Sequence, residues 1–345
     1  MSFAQIVWHE RTQIIQTSHQ AFVFGMLDTW KRCMQQGNSP QEPDFVAGLV
    51  LVSSPLLYNA LRTIFGQHGI QFSLTAVFCH QTPKVQFAGM NKTSCEVGDL
   101  LFVHVHTSRT GAFTRNALLY QAKMSSKQPY RVGSGEADQL RLYTDWPLFT
   151  YHRSRPLTGQ RDVTPKLPHT GAQYMLIDDR PPSDPQSGLW GLAGTYPIGS
   201  CMADQYLQDH NHLAAELFEF FLLRSGRGYA EKSSSAPIDG WSQLVWDLLS
   251  TGLQKAFTRR NSGRSSAPRH AGGTLSLLDG YCFARSTGSV ALTTAESIIG
   301  ADNMDLLFSD PHNVPPHEEW PKDNVMDPDS GVSVVLIETS ELRGG

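Results

Sequence analysis

Two apolar runs, Asp99–Thr107 and Ala117–Met124, joined by the short link 108–116 with Gly111 inside it, constrain this fold more than any other feature. Runs of this length, rich in Leu, Val, Phe and Tyr and split by a Gly-bearing connection, read as two strands of a hairpin. Successive side chains along a strand point to opposite faces. Asp99, Leu101, Val103 and Val105 therefore share one face of the first run, while Leu119, Gln121 and Lys123 share one face of the second. If the strands pair, Asp99, Gln121 and Lys123 converge at one edge of the sheet.

Elements on either side extend the pattern. Ile14, Ile15, Phe22, Met26, Leu27 and Trp30 fall at helical spacing and predict a helix over 12–36, stopped by Gly37-Asn38-Ser39-Pro40. A second helix is expected from Pro43, which suits a first turn, to Phe65, with Pro55 as a kink or break. A strand over Gln71–Phe78 is expected to continue past a turn near Pro83 into Val85-Gln86-Phe87. After the hairpin come a helix over 136–146 and a strand over 174–177. The Pro-rich cluster Pro181–Pro185 is the best candidate boundary. Beyond it the sequence predicts helices over 209–224 and 239–258, a basic Ser/Gly-rich loop over 259–273, a Pro-rich stretch over 311–328 and a closing strand over 332–337. The expected division is an N-terminal helical segment (1–41), a core (42–185) and a C-terminal region (186–345) of open role, packed on the core or forming an interface.

Composition narrows the function classes. With 40% hydrophobic and 17% charged residues, the chain reads as a soluble globular protein. A net charge of −4 gives no global attraction to nucleic acid, so any basic surface must be local, as in Arg259–Arg264. Cysteines at 33, 79, 95, 201 and 282 are scattered, with no C-x-x-C. That spacing argues against a disulfide framework or a structural zinc site and favours a reducing cytosol. No signal peptide and no apolar stretch long enough to span a membrane are visible, so a cytoplasmic protein without a membrane partner is expected.

An Asp at a strand end followed on the next strand by Q-x-K points to a metal-dependent phosphodiesterase. Mg²⁺ keeps several waters and needs only one or two carboxylates plus a neutral oxygen, which Asp99 and Gln121 could supply. Lys123 would place a compact cation where negative charge grows in the transition state. Gln139 and Tyr143, four apart on one helical face, follow the Q-x-K strand. Glu42, at the start of the helix before the strands, could complete the metal shell, with Asp44 as its rival.

Gly98-Asp99, Gln121-x-Lys123 and Gln139-x-x-x-Tyr143, on a helix–three strands–helix–strand order over about residues 42–180, resemble the PD-(D/E)XK nuclease superfamily. The Q-x-x-x-Y helix is similar to that of its RecB-type branch, and Q-x-K to that of Mrr-type restriction enzymes. The resemblance implies an α/β fold with a restriction-endonuclease-like core, a mixed central sheet flanked by helices, with helical N- and C-terminal additions. It implies a Mg²⁺ (or Mn²⁺) site at Asp99, Gln121 and Glu42, with Lys123 catalytic and Gln139 and Tyr143 touching substrate or supporting the site. The implied activity is hydrolysis of nucleic acid, DNA before RNA, with a protein partner or a second copy of the chain, and by family analogy a role in bacterial genome defence. Two alternatives stand beside it. Gln121 in place of Glu removes a charge from the metal shell, which suits a nuclease-fold subunit that binds without cleaving. His104-x-His106 could bind zinc or iron in a His-dependent metallo-hydrolase, although Leu100 and Phe102 on the same face favour packed or half-exposed histidines.

Overall fold

A computed structural model of the chain describes residues 1–79, 83–152, 157–166, 170–190, 196–232, 238–262, 281–284 and 331–341. The N-terminal layer is helical: α1 (Phe3–His9), α2 (Arg11–Gln35), α3 (Glu42–Gly48) and α4 (Ser54–Gly66). Ser2 caps α1 by a reciprocal exchange, its Oγ accepting from the Gln5 amide and Gln5 Oε1 accepting from the Ser2 amide. α3 runs into α4 through a π-helical turn, Leu49–Ser53, so the chain passes Pro55 without breaking. The widened turn just ahead of Pro55 accommodates a residue that has no N–H to give. Gly25 and Gly48 let α2 and α3 cross in backbone contact. A Cβ on Gly48 would lie 2.1 Å from Thr29 Oγ1 and 2.9 Å from the Gly25 carbonyl. The combined helix Glu42–Gly66 is long and apolar enough to cross a membrane, contrary to expectation, yet 67% of its apolar window is buried inside this fold.

One nine-stranded mixed sheet organises the molecule. Its principal strands are β1 (Ile70–Val77), β2 (Leu100–Thr107), β3 (Phe113–Met124), β4 (Ala172–Ile177), β5 (Ile198–Cys201), β6 (Asn211–His212), β7 (Tyr281–Ala284) and β8 (Ser333–Glu341). They lie in the order β6-β5-β4-β3-β2-β8-β1-β7. β2 and β3 form the expected antiparallel hairpin, with Leu100 opposite Tyr120 and Leu101 opposite Leu119. β4 adds parallel to β3.

The closing strand is not an addition around the core. β8 lies between β1 and β2, antiparallel to the first and parallel to the second. The sheet thus draws strands from both sides of the Pro181–Pro185 turn. Val85-Gln86-Phe87 does not continue β1 either. Lys84–Phe87 pairs with Cys95–Glu96 and Phe149–His152 in a separate four-stranded sheet, because Val85 and Phe87 bury their side chains in the core over one face of the large sheet.

Both faces of the large sheet are covered. Leu100, Phe102, Leu118 and Tyr120 pack with the N-terminal helices and with α6 (Leu213–Phe221). Leu101, Val103, Val105 and Leu119 pack with α5 (Ala137–Asp145), α7 (Gly240–Ser262) and the small sheet. Double burial explains why these strands read as nearly continuous apolar runs rather than strict alternation. The helix expected over 209–224 is shorter than its periodicity suggested, because Asn211–His212 is captured as an edge strand of the sheet. The basic run begins inside α7, whose side chains beyond residue 252 are outside the description. The rest of the expected loop, 263–273, and the Pro-rich stretch 311–328 lie outside the described residues.

Candidate active site

Pairing of β2 with β3 sets the site. Asp99 stands one residue before β2, its amide donating to the Tyr120 carbonyl at 2.8 Å and its carbonyl accepting from the Ser333 amide at 3.1 Å. Held from both sides, its carboxylate reaches across to β3, where Oδ2 accepts from the Ala122 amide at 2.7 Å and from the Gln121 side-chain amide. The other Gln121 amide atom, Oε1, accepts from Gln139 on α5. Gln139 Nε2 also lies 3.4 Å from the Glu96 carbonyl. One turn along α5, Tyr143 donates its hydroxyl to the Val97 carbonyl at 2.8 Å. Gly98 lies beneath it, where a Cβ would meet both Tyr143 Oη and Leu119 Cδ1 at 2.8 Å.

Lys123 lies two residues beyond Gln121, with little of its side chain exposed. Its ammonium is 2.9 Å from Glu136 Oε1 and 3.8 Å from Glu42 Oε2. Asp44, the rival of Glu42, is fully buried and accepts from the Gln41 amide at 2.9 Å. It caps the start of α3, whereas Glu42 faces Lys123. All six candidate residues (Glu42, Asp99, Gln121, Lys123, Gln139 and Tyr143) therefore fall in one neighbourhood. Glu136 and Glu96 join them, and sequence reasoning passed over both. Glu136 opens the predicted helix over 136–146 but falls outside its Q-x-x-x-Y pattern, and Glu96 reaches the site only because Cys95–Glu96 pairs with Lys84 and Val85 in the small sheet.

Gln121, Lys123, Glu42, Glu96, Glu136 and Gln139 line an open cleft of about 360 Å³, together with Lys84 and Lys92. Asp99 sits behind that wall, against a smaller recess bordered by Pro43, Val46 and Cys79. It keeps some solvent exposure, yet enough protein surrounds the carboxyl to push it up to about 8, by desolvation first and then by repulsion from Glu96 and Glu42. Desolvation also raises Glu42, with Lys123 working against it. For Lys123, burial favours the neutral amine, but Glu42 and Glu136 outweigh it and raise its affinity for the proton. The neighbourhood is short of positive charge.

Among the described residues no three His, Cys, Asp or Glu side chains are grouped closely enough to hold a metal ion. The donor set that does converge, one carboxylate and one amide, meets the minimum for a cation that keeps most of its waters. Among the described residues nothing hydrogen-bonds Asp99 Oδ1. The Gln121 amide presents its nitrogen to Asp99. A half-turn of the Gln121 and Gln139 amides would preserve their mutual hydrogen bond and turn Gln121 Oε1 toward Asp99, where a proton or a cation must then sit between the two oxygens.

His104 and His106 lie on the opposite face of β2. Both rings share the Thr339 hydroxyl, at 2.9 Å from His104 Nε2 and 2.9 Å from His106 Nδ1. His104 stands edge-on to Phe221, and His106 stacks on Phe3. The pair is built into an aromatic core, as packed histidines would be.

No family model, curated protein or solved structure matches the chain.

Proposed function

We propose that the chain is a Mg²⁺- or Mn²⁺-dependent phosphodiesterase acting on nucleic acid, DNA in the first instance, built on a restriction-endonuclease-like core. The observation that carries this reading is the meeting of Asp99, Gln121 and Lys123 across one strand pair, beside an open cleft and under α5 with its Gln139 and Tyr143. The element order also supports it: helix 42–66, β1, β2, β3, α5 and β4 follow one another as the resemblance implies, with β8 as an inserted strand.

A bound divalent ion would supply a polarised water and shield the phosphate charge. Asp99 and Gln121 would hold it. Lys123, kept charged by its carboxylate neighbours, would face the phosphate and answer the negative charge that develops during in-line attack. Gln139 fixes the Gln121 amide, and Tyr143 fixes the turn at Val97 that aims Asp99.

The test is cleavage of a plasmid or oligonucleotide with Mg²⁺ by the wild type, Asp99→Ala and Lys123→Ala. The proposal expects a metal-dependent wild-type activity that both variants lose. Equal activity in all three removes it.

One observation favours a second reading. Gln121 carries no charge and is tied at both ends, to Asp99 and to Gln139, which suits a nuclease-fold subunit that binds without turnover. Titration with Mn²⁺ separates the two, because a scaffold of that kind has no Asp99-dependent cation binding.

A further inference from the structure

Glu136 is a cleft residue whose carboxylate is fixed at every point. Oε2 accepts from the Tyr130 hydroxyl at 2.8 Å and from the Gly133 amide at 3.1 Å, and Oε1 faces the Lys123 ammonium at 2.9 Å. It ends the short 3-10 turn Ser134–Glu136 that leads directly into α5, so the same segment that delivers Gln139 to Gln121 also delivers a carboxylate to Lys123. Tyr130 is anchored in turn, its strand Tyr130–Arg131 pairing with Tyr206–Leu207. A lysine has four rotatable side-chain bonds, and only a second fixed group decides where its ammonium rests. The competing partner, Glu42, lies farther off at 3.8 Å.

We propose that Glu136 is the positioning residue of this site: its anchored carboxylate holds the Lys123 ammonium at the cleft wall beside Gln121, where a bound phosphate would meet it. The inference rests on the phosphodiesterase reading for its consequence, but the geometry of the hold stands apart from it. Removing the carboxylate leaves Lys123 to swing toward Glu42. A misplaced catalytic group of this kind lowers turnover while leaving the rest of the binding surface in place.

Two measurements test it on the full chain. In steady-state oligonucleotide cleavage with Mg²⁺, Glu136→Ala is expected to lower kcat by roughly ten- to a hundred-fold with little change in KM, and Glu136→Gln, which keeps an acceptor for Lys123, to recover part of the loss. An unchanged kcat in Glu136→Ala, or a loss that falls on KM alone, overturns the proposal.

The second measurement needs no activity. Lys123 is labelled with an amine-reactive ester and quantified by mass spectrometry, with the thermal midpoint as a folding control. Glu136→Ala should label Lys123 several-fold faster than wild type while distant lysines are unchanged. Unchanged labelling of Lys123 in a folded variant overturns the hold itself. A wild type that never cleaves but shows the labelling difference would sink the phosphodiesterase reading and leave the hold standing.

Discussion

The two faces of strand β2 carry two polar groups that differ in almost every respect. On one face, just before the strand begins, Asp99 meets Gln121 and Ala122 beside an open cleft, with Glu42 and Glu96 near enough to raise its affinity for a proton. On the other, His104 and His106 share one hydroxyl and pack against Phe3 and Phe221. The histidine pair is satisfied by the protein itself. The aspartate end is not, because burial first, and then Glu96 and Glu42, outweigh the Ala122 amide and Lys123 in setting its charge. That difference, rather than the residue types alone, makes one face a candidate for chemistry and the other a piece of core.

The largest expected effect is on activity. Asp99→Ala should abolish metal-dependent cleavage, a fall of about a hundred-fold or more given what metal-ligand and charge-stabilising groups contribute. His104→Ala should leave the specific activity of the folded fraction close to wild type, as measured after correcting for folded protein by circular dichroism. A His104→Ala enzyme that folds and is dead would reverse the comparison.

Stability should show the opposite ranking. His104 is 2% exposed, and truncating it removes ring packing and the Thr339 hydrogen bond, for a loss of about 2–4 kcal/mol in urea denaturation. Lys123→Met keeps the aliphatic stem, loses one charge in a carboxylate-lined cleft, and is expected to cost less than His104→Ala in the same assay.

The two faces should also carry opposite signs against pH. For Asp99 the folded value, about 8, lies above the ordinary 3.8. The folded state therefore holds the proton more tightly than the unfolded chain, and this contribution to stability is lost as pH rises between those limits. For His104, burial and then the nearby His106 lower the folded value from 6.5 to about 3. Its contribution is present above 6.5 and is lost as pH falls toward 3. Asp99→Asn should accordingly gain stability over wild type at pH 8 and lose that advantage near pH 4, whereas His104→Leu should flatten the acid limb only. Chemical denaturation at several pH values reads both slopes.

The smallest effect sharpens the same contrast. Millimolar Mn²⁺ at pH 8 should raise the thermal midpoint of the wild type by a few degrees, as ligand binding to the folded state alone does, and leave Asp99→Ala unchanged. An equal shift in both proteins would move the cation elsewhere.

Much of this was legible from sequence because it is local. The hairpin, the face-sharing of Gln121 with Lys123, the helix carrying Gln139 and Tyr143 and the strand at 174–177 all follow from short-range periodicity. Glu42 and Asp44 were not separable in that way. Both are acidic residues in a first helical turn, and only the structure assigns the cap to Asp44 and the cleft to Glu42. Glu96 and Glu136 carried no motif, since their place depends on a small sheet and a 3-10 turn formed around the core.

By itself the amino-acid sequence determined the elements and which side chains share a face, since a pleat of period two and a helix of 3.6 residues per turn are properties of the backbone. Tertiary structure alone decided that β8, from the far end of the chain, fits between β1 and β2, and that Lys123 rests on Glu136 before Glu42. Strand insertion and ion-pair choice are settled by groups distant in sequence competing for the same space, and no local pattern encodes the outcome of that competition.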